Sequence, residues 1–194
     1  MSEDAGFILL AAGLSTRFGR NKLLASLDGE QALILQTAKN ILRASDKLLV
    51  VSNTNHHALN ALLDKEGIPH LSTTLSGLGM GHSLAFGVQQ RASWPGWIIC
   101  LADMPTIKTS TYQSVQQALK HHQLIVASHN GNKGKPVGFS AHFYKQLTQL
   151  QGDQGARSIL RNNPNQTFLL NCNDPGILLD VDTPEQLEKL KSLN

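Results

Sequence analysis

Gly6-Phe7-Ile8-Leu9-Leu10 runs straight into Ala11-Ala12-Gly13-Leu14-Ser15-Thr16-Arg17-Phe18-Gly19-Arg20-Asn21-Lys22. A short, unbroken apolar run is the pattern of a strand buried on both faces, as in a parallel sheet. The next segment differs in chemistry: two glycines, two hydroxyls, two arginines and a lysine fall within one loop. Backbone N–H groups in such a loop can wrap a phosphate chain, and the cations add fixed positive charge. A buried strand feeding a basic, glycine-bracketed loop predicts a nucleotide triphosphate site.

Apolar runs alternate with helical spacing along nearly the whole chain. Leu33, Ile34, Thr37, Ala38, Ile41 and Leu42 recur at helical spacing. Leu48-Leu49-Val50-Val51 reads as a second strand, and Asn55 is the expected cap of a helix carrying Leu59, Leu62 and Leu63. His70-Leu71-Ser72 is a short third strand, and the loop Gly77-Leu78-Gly79-Met80-Gly81 opens a helix through Leu84, Ala85 and Val88. Trp97-Ile98-Ile99-Cys100-Leu101 is a strand ending at Ala102-Asp103-Met104-Pro105. A helix begins at Thr109 or Ser110, Leu124-Ile125-Val126-Ala127 is a strand, and Ser140 caps a helix bearing Phe143, Leu147 and Leu150. A short helix over 155–160, strands at Thr167-Phe168-Leu169-Leu170 and Ile177-Leu178-Leu179, and a final helix complete the pattern. Thr183-Pro184-Glu185-Gln186 is a capping box that starts this helix, whose Leu187, Leu190 and Leu193 should face the core. Such alternation predicts an α/β fold, a three-layer α/β/α sandwich with a Rossmann-like, mostly parallel sheet, forming a single domain over 1–194.

The chain has 194 residues, of which 41% are hydrophobic and 16% charged, the composition of an ordinary globular protein. Its formal net charge is +3, spread along the chain rather than gathered in a stripe. That distribution argues against nucleic acid or a membrane surface as partner and suits an anionic small molecule. Cys100 and Cys172 each sit in an apolar run and read as reduced, buried thiols. The first residues lack the pattern of a signal peptide, so a cytoplasmic protein is expected.

Two familiar phosphate fingerprints fail. A Walker loop needs glycine directly before its lysine, but Arg20 and Asn21 separate Gly19 from Lys22, and Phe18 stands where the second Walker glycine would fall. A G-x-G-x-x-G pattern fails at the Gly77 loop, where His82 or Leu84 occupies the third glycine position. Within the basic loop, Arg17 and Lys22 can both reach one polyphosphate if the loop folds back, one as a planar fork and one as a point charge. Otherwise the two are a solvated turn. Asp103, at a strand's carboxyl end, can bind Mg²⁺ or serve as a turn residue. Asp180 and Asp182 should share one face if Asp180-Val181-Asp182 ends a strand. Because Thr183 fills the N-cap role, both are available to a metal, with Asp182 the first choice and Asp180 the second. The glycines at 77–81 let the backbone approach a base or ribose, Ser83 equally fits a cap of the next helix, and His82 reads as a surface or supporting residue. Gly134-Lys135-Pro136-Val137-Gly138-Phe139 and Gly152-Asp153-Gln154-Gly155-Ala156-Arg157 read as two loops, with Arg157 placed to bind an anionic second substrate.

These blocks together resemble the MobA-like nucleotidyltransferases. The stretch from Leu10 through Lys22 to Leu24 is similar to that family's signature loop, and Leu101-Ala102-Asp103-Met104-Pro105 to its metal motif. Gly134-Lys135-Pro136, Gly152-Asp153-Gln154-Gly155-Ala156-Arg157 and Asp180-Val181-Asp182-Thr183-Pro184 resemble later blocks of its molybdenum cofactor cytidylyltransferase branch. The resemblance implies a fold of the nucleotide-diphospho-sugar transferase type and a Mg²⁺-dependent reaction. In it the terminal phosphate of molybdopterin cofactor attacks the α-phosphate of CTP, and pyrophosphate leaves. The resemblance implies that Arg17 and Lys22 hold the triphosphate, and that Asp103 with Asp182 or Asp180 holds Mg²⁺. Ala11, Ala12, Gly13 and Ser15 contact the nucleotide, and Gly79, Met80 and Ser83 approach the base and ribose. The resemblance further implies that Lys135, Pro136, Asp153 and Arg157 bind the acceptor, with a molybdoenzyme or its chaperone as a candidate client. The Ala-Ala-Gly form of the loop is similar to the pyrimidine-using members, since bulk at Ala12 disfavours a purine. The chain departs from the family in lacking a proline within Gly29-Glu30-Gln31-Ala32-Leu33, in Phe18 where methionine is common, and in His82 where small residues are common. The alternatives are a molybdopterin guanylyltransferase, a sugar- or alcohol-phosphate cytidylyltransferase of the same fold, and a delivery chaperone for the cofactor. The chaperone would have no use for a triphosphate clamp.

Overall fold

The computed structural model describes residues 4–13, 18, 21–27, 29 and 31–192. Seven strands form one sheet in the order β3-β2-β1-β4-β6-β5-β7. They are β1 (Gly6–Ala11), β2 (Leu48–Asn53), β3 (His70–Thr73), β4 (Gly96–Leu101), β5 (Leu124–His129), β6 (Asn132–Ser140) and β7 (Thr167–Asn171). The helices are α1 (Leu33–Leu42), α2 (His57–Lys65), α3 (Met80–Gln89), α4 (Thr109–Ala118), α5 (Tyr144–Thr148), α6 (Arg157–Asn162) and α7 (Pro184–Lys191). All strand pairs are parallel except those of β6, which runs antiparallel to both β4 and β5. The result is the expected mostly parallel α/β/α sandwich.

Strand alternation divides the apolar residues between two faces. Phe7, Leu9, Val50, Ile98 and Cys100 join one core with Ile34, Ile41, Leu59 and Tyr112 of α1, α2 and α4. Ile8, Leu49, Val51, Trp97 and Ile99 join the other with Leu84 and Val88 of α3 and Phe143 and Leu147 beside and within α5. A third, smaller cluster lies at the carboxyl edge: Phe18, Ala25 and Leu33 pack on Val181, Leu187 and Leu190. It ties the basic loop to the last helix, and burial of six such side chains makes that link energetically substantial.

Several expectations are corrected. The 134–139 stretch is not a loop but most of β6, inserted between β4 and β5. Pro136 is tolerated because it lies beyond the β4 pairing and at the point where the β5 register shifts. Gly134 is required there: a Cβ would overlap the Ile177 carbonyl. Ile177-Leu178-Leu179 is not a strand. Pro175–Leu178 is a 3₁₀ turn held by Asp174, whose carboxylate accepts from the N–H of Gly176 and Lys108 and from the Thr111 hydroxyl. Asp180 and Asp182 are therefore not related by strand alternation. Asn55 does not cap α2; His56 stands at the N-cap without a side-chain cap bond. Ser140 makes no cap bond either. Ser83 lies inside α3, whose N-cap is Gly79. The Thr183 capping box is present, with Leu187 and Leu190 buried; Leu193 lies outside the described residues.

Candidate active site

Strands β1 and β4 are neighbours and end side by side, because Leu10 pairs with Leu101. Ala102 then donates its N–H to the Leu10 carbonyl, and its own carbonyl accepts from the Thr37 hydroxyl. This fixes Asp103 at the carboxyl edge of the sheet, where ligands of open α/β folds sit. Lys22 comes from the basic loop. Asn21 caps the 3₁₀ turn Lys22–Leu24 by accepting from Leu23 N–H, and Leu23 is sunk in the core. The root of Lys22 is thereby fixed. Asp182 comes from the far end of the chain. Gln186 Oε1 accepts from the N–H groups of Asp182 and Thr183, and Val181 N–H donates to the Asp103 carbonyl.

These three side chains meet. Lys22 Nζ donates to Asp103 Oδ2 at 2.6 Å and to Asp182 Oδ1 at 2.6 Å. Burial alone would lower the Lys22 pKa, but the two carboxylates outweigh it and hold the ammonium above its ordinary value. Burial pushes the Asp103 carboxyl up, Lys22 offsets part of that rise, and the negative charge of nearby Asp180 adds to it. Asp103 Oδ1 is buried without a hydrogen-bond partner.

The residues present fit a divalent cation. Two carboxylates already converge on one cationic atom, Asp103 has an oxygen left over, and Mg²⁺ takes oxygen donors with one or two carboxylates. Among the described residues no group of three or more His, Cys, Asp or Glu is gathered as a metal cage. Substrate oxygens would have to complete the coordination, as is usual for Mg²⁺ at phosphates.

Of the residues expected to contact the nucleotide, the structure describes Ala11, Ala12, Gly13, Lys22, Gly79, Met80 and Ser83. Ala11 and Ala12 are buried at the end of β1, and Gly13 is exposed just beyond. Arg17 and Ser15 lie outside the described residues. Burial holds the His56 pKa down, and the Ala11 backbone offsets part of that shift. Met80 is half exposed, while Ser83 is 2% exposed with a hydroxyl that has no partner. Gly79 has φ +111°, and a Cβ there would overlap the Gly152 carbonyl. His82 Nδ1 lies 3.1 Å from the Gly152 N–H, which donates to it, and 3.1 Å from the Leu78 carbonyl. The two glycine loops are thus packed backbone on backbone, with one imidazole joining them.

A cavity of about 910 Å³ opens beside the carboxylates, with Asp180, Leu101 and Met104 in its wall. It brings together three of the four expected acceptor residues: Lys135, Asp153 and Arg157. Pro136, the fourth, is buried within β6 and does not line it. Sequence reasoning missed Lys133 and Arg161, which also face this cavity. Burial and the like charge of Arg157 pull the Lys135 pKa down. Four cations against two carboxylates, over a floor that includes Val126, Val137 and Ile177, suit an anion carrying a flat apolar body. Among the described residues, no helix is long and apolar enough to cross a membrane.

Proteins of known name share the sequence and the fold of this chain. The chain is 31% identical to purine catabolism protein PucB of Bacillus subtilis over 95% of its length and 94% of that protein. It is 24% identical to a molybdenum cofactor guanylyltransferase of Vibrio parahaemolyticus, covering 98% of this chain and 96% of the relative. In structure it superposes on Rv0371c of Mycobacterium tuberculosis with a TM-score of 0.85 at 21% identity, covering 99% of both chains. The same protein in complex with manganese gives 0.80 at 20% identity, covering 99% of this chain and 100% of that one. The family model for the MobA-like NTP transferase domain matches residues 7–167. That match runs from β1 through the Lys22 and Asp103 elements to the start of β7, so the chain belongs to the MobA-like NTP transferases, a family of nucleotidyltransferases.

Proposed function

We propose that this chain transfers CMP from CTP to the terminal phosphate of molybdopterin cofactor, releasing pyrophosphate in a Mg²⁺-dependent reaction in the cytoplasm. The observation that carries the proposal is the seating of Lys22 between Asp103 and Asp182, beside a cationic cavity. A pure delivery chaperone would need the cavity but not the lysine–carboxylate cluster. The acceptor class is taken from the relative named for guanylyl transfer to molybdenum cofactor. The pyrimidine preference rests on the Ala-Ala-Gly loop, where the buried Ala12 leaves less room for a base than glycine would.

An acceptor phosphate oxygen forms a bond to the α-phosphorus of the nucleotide. The bond from that phosphorus to the oxygen bridging to the β-phosphate breaks, and pyrophosphate leaves with the electron pair. The attacking oxygen is already anionic, so no strong base is required. Lys22 and Arg17 hold the triphosphate and offset charge growing on the leaving group; Asp103 and Asp182 hold the metal, with Asp180 at the boundary to the acceptor. A Mg²⁺ ion held by Asp103 and Asp182 would supply Lewis-acid neutralisation of phosphate charge. Lys133, Lys135, Arg157 and Arg161 orient the acceptor phosphate, and Ala11, Ala12, Gly13, Ser15, Gly79, Met80 and Ser83 shape the nucleotide pocket. Positioning and electrostatics carry the rate, as in other phosphoryl transfers.

The test is to incubate the protein with each nucleotide triphosphate and molybdopterin cofactor, then identify the product by mass. Cytosine dinucleotide is expected. Guanine dinucleotide would transfer the proposal to the activity named for the Vibrio relative, and no dinucleotide with any triphosphate would refute transfer to this acceptor.

A further inference from the structure

We infer that Lys22 is the resident cation of the metal site, and that it keeps free divalent metal out until a nucleotide draws it away. The inference rests on the proposed nucleotidyl transfer and concerns the order in which the site fills.

The physical conflict is direct. Lys22 Nζ makes both of its contacts at 2.6 Å, one to each carboxylate. A Mg²⁺ ion shared by the same oxygens would lie at about 2.0–2.1 Å from each, in the space the ammonium holds. Metal and ammonium cannot occupy that point together, and their like charges repel at short range in a half-buried site. Lys22 is 13% and Asp103 18% exposed, so water screens the pair poorly. The ammonium must leave that point before a metal can enter it.

The fold permits that movement in one way. The Lys22 backbone is fixed by the Asn21 cap and the buried Leu23. The four-carbon stem is the mobile part, and it can turn to another anion. A triphosphate is that anion. Once Lys22 transfers to phosphate, the Asp103 and Asp182 oxygens that it held become available to a metal. Free metal must expel the lysine at its own cost, whereas metal carried by a nucleotide enters with the group that attracts the lysine. The site therefore selects the metal–nucleotide complex over the bare ion.

The experiment is a Mn²⁺ titration without nucleotide, read by the loss of the free-ion EPR signal, on the wild type and on Lys22→Met and Lys22→Gln. Both variants should bind Mn²⁺ more tightly than wild type, by roughly 10- to 100-fold, the usual range of coupling between two ligands of one site. Adding Asp103→Asn to Lys22→Met should abolish the gain. In the wild type, the ¹⁵N resonance of Lys22 Nζ should shift on addition of CTP and stay in place with Mg²⁺ alone at the concentration that supports turnover. Folded variants with no gain in Mn²⁺ affinity would overturn the inference, as would a wild-type Lys22 resonance that moves with Mg²⁺ alone. The first result shows metal lodging beside the lysine rather than in its place, and the second shows bare metal entering without a nucleotide. The parent proposal fails differently: wild-type protein that binds no Mn²⁺ even with CTP present has no nucleotide–metal site at all, and the inference falls with it.

Discussion

Replacing Asp103 with asparagine separates a structural role from a chemical one. The variant keeps the shape of the side chain and removes its charge. Lys22 then keeps Asp182 as its partner at 2.6 Å, so no cation is stranded. Exposed pairs are worth about 0.2–1 kcal/mol, whereas breaking a buried pair costs about 3–5 kcal/mol. At 18% exposure for Asp103 and 13% for Lys22, and with one carboxylate remaining, the loss falls between, at roughly 1–2 kcal/mol. Part of it is offset because burial already disfavours the charged carboxyl. For a chain of 194 residues, this lowers Tm by roughly 2–8 °C at most. Turnover should fall far more, by about 10²–10³, the magnitude of removing one preorganised electrostatic group. The assay pairs thermal unfolding with pyrophosphate release from CTP and the acceptor. Near-normal release would refute a metal-holding Asp103. A collapse of Tm well beyond this range would show that Asp103 holds the fold, and its effect on turnover would then be indirect.

Lys135→Met should raise Tm at neutral pH and weaken binding of the anionic acceptor. Its pKa is lowered in the folded state, so the charged lysine costs stability below that pKa; the cost fades as pH rises towards the ordinary lysine value, and the gain of the variant should shrink with it. A variant less stable than wild type at pH 7 in thermal unfolding would contradict this. Asp174→Ala removes an acceptor from three donors at a 2% exposed site and should cost about 3 kcal/mol in urea unfolding; a loss below about 1 kcal/mol would show that the 175–178 turn holds without it. His82→Ala should raise the acceptor KM by about 2- to 10-fold, one net hydrogen bond, and speed amide exchange at Gly152, with His82→Asn restoring part of both. Unchanged exchange at Gly152 would remove His82 from the link between the loops.

The sheet was legible wherever apolar residues ran together without a breaker, as in Phe7 to Leu10, Leu48 to Val51 and Trp97 to Leu101. β6 was not, because Gly134, Pro136 and Gly138 are the residues that normally mark a turn. Each is explained only by a tertiary neighbour: the Ile177 carbonyl, the β5 register shift and the Leu119 side chain. Reading that stretch as a loop also concealed Lys133. On a strand, Lys133 and Lys135 share a face, and Arg157 and Arg161 are one helical turn apart, so the cation cluster was present as spacing once the elements were known. Ile177-Leu178-Leu179 looked like a strand because three apolar residues in a row carry no mark of the Asp174 side chain that bends them. Lys22 and Asp103 were both singled out from sequence as members of one phosphate site. Their direct contact, with Asp182 joining from 160 residues away, depends on the Phe18–Val181 cluster, which no local pattern announces.

That cluster also bears on how the protein is made. Lys22 leaves the ribosome early, and its second carboxylate partner follows only after almost the entire sheet has been synthesised. Phe18 can pack early on Ala25 and Leu33, but the basic loop lacks the support of Val181, Leu187 and Leu190 until those residues are made. A growing chain can complete strands β1 to β7 and still be chemically silent. The Lys22–Asp182 contact forms only when the segment leading into α7 packs against the basic loop.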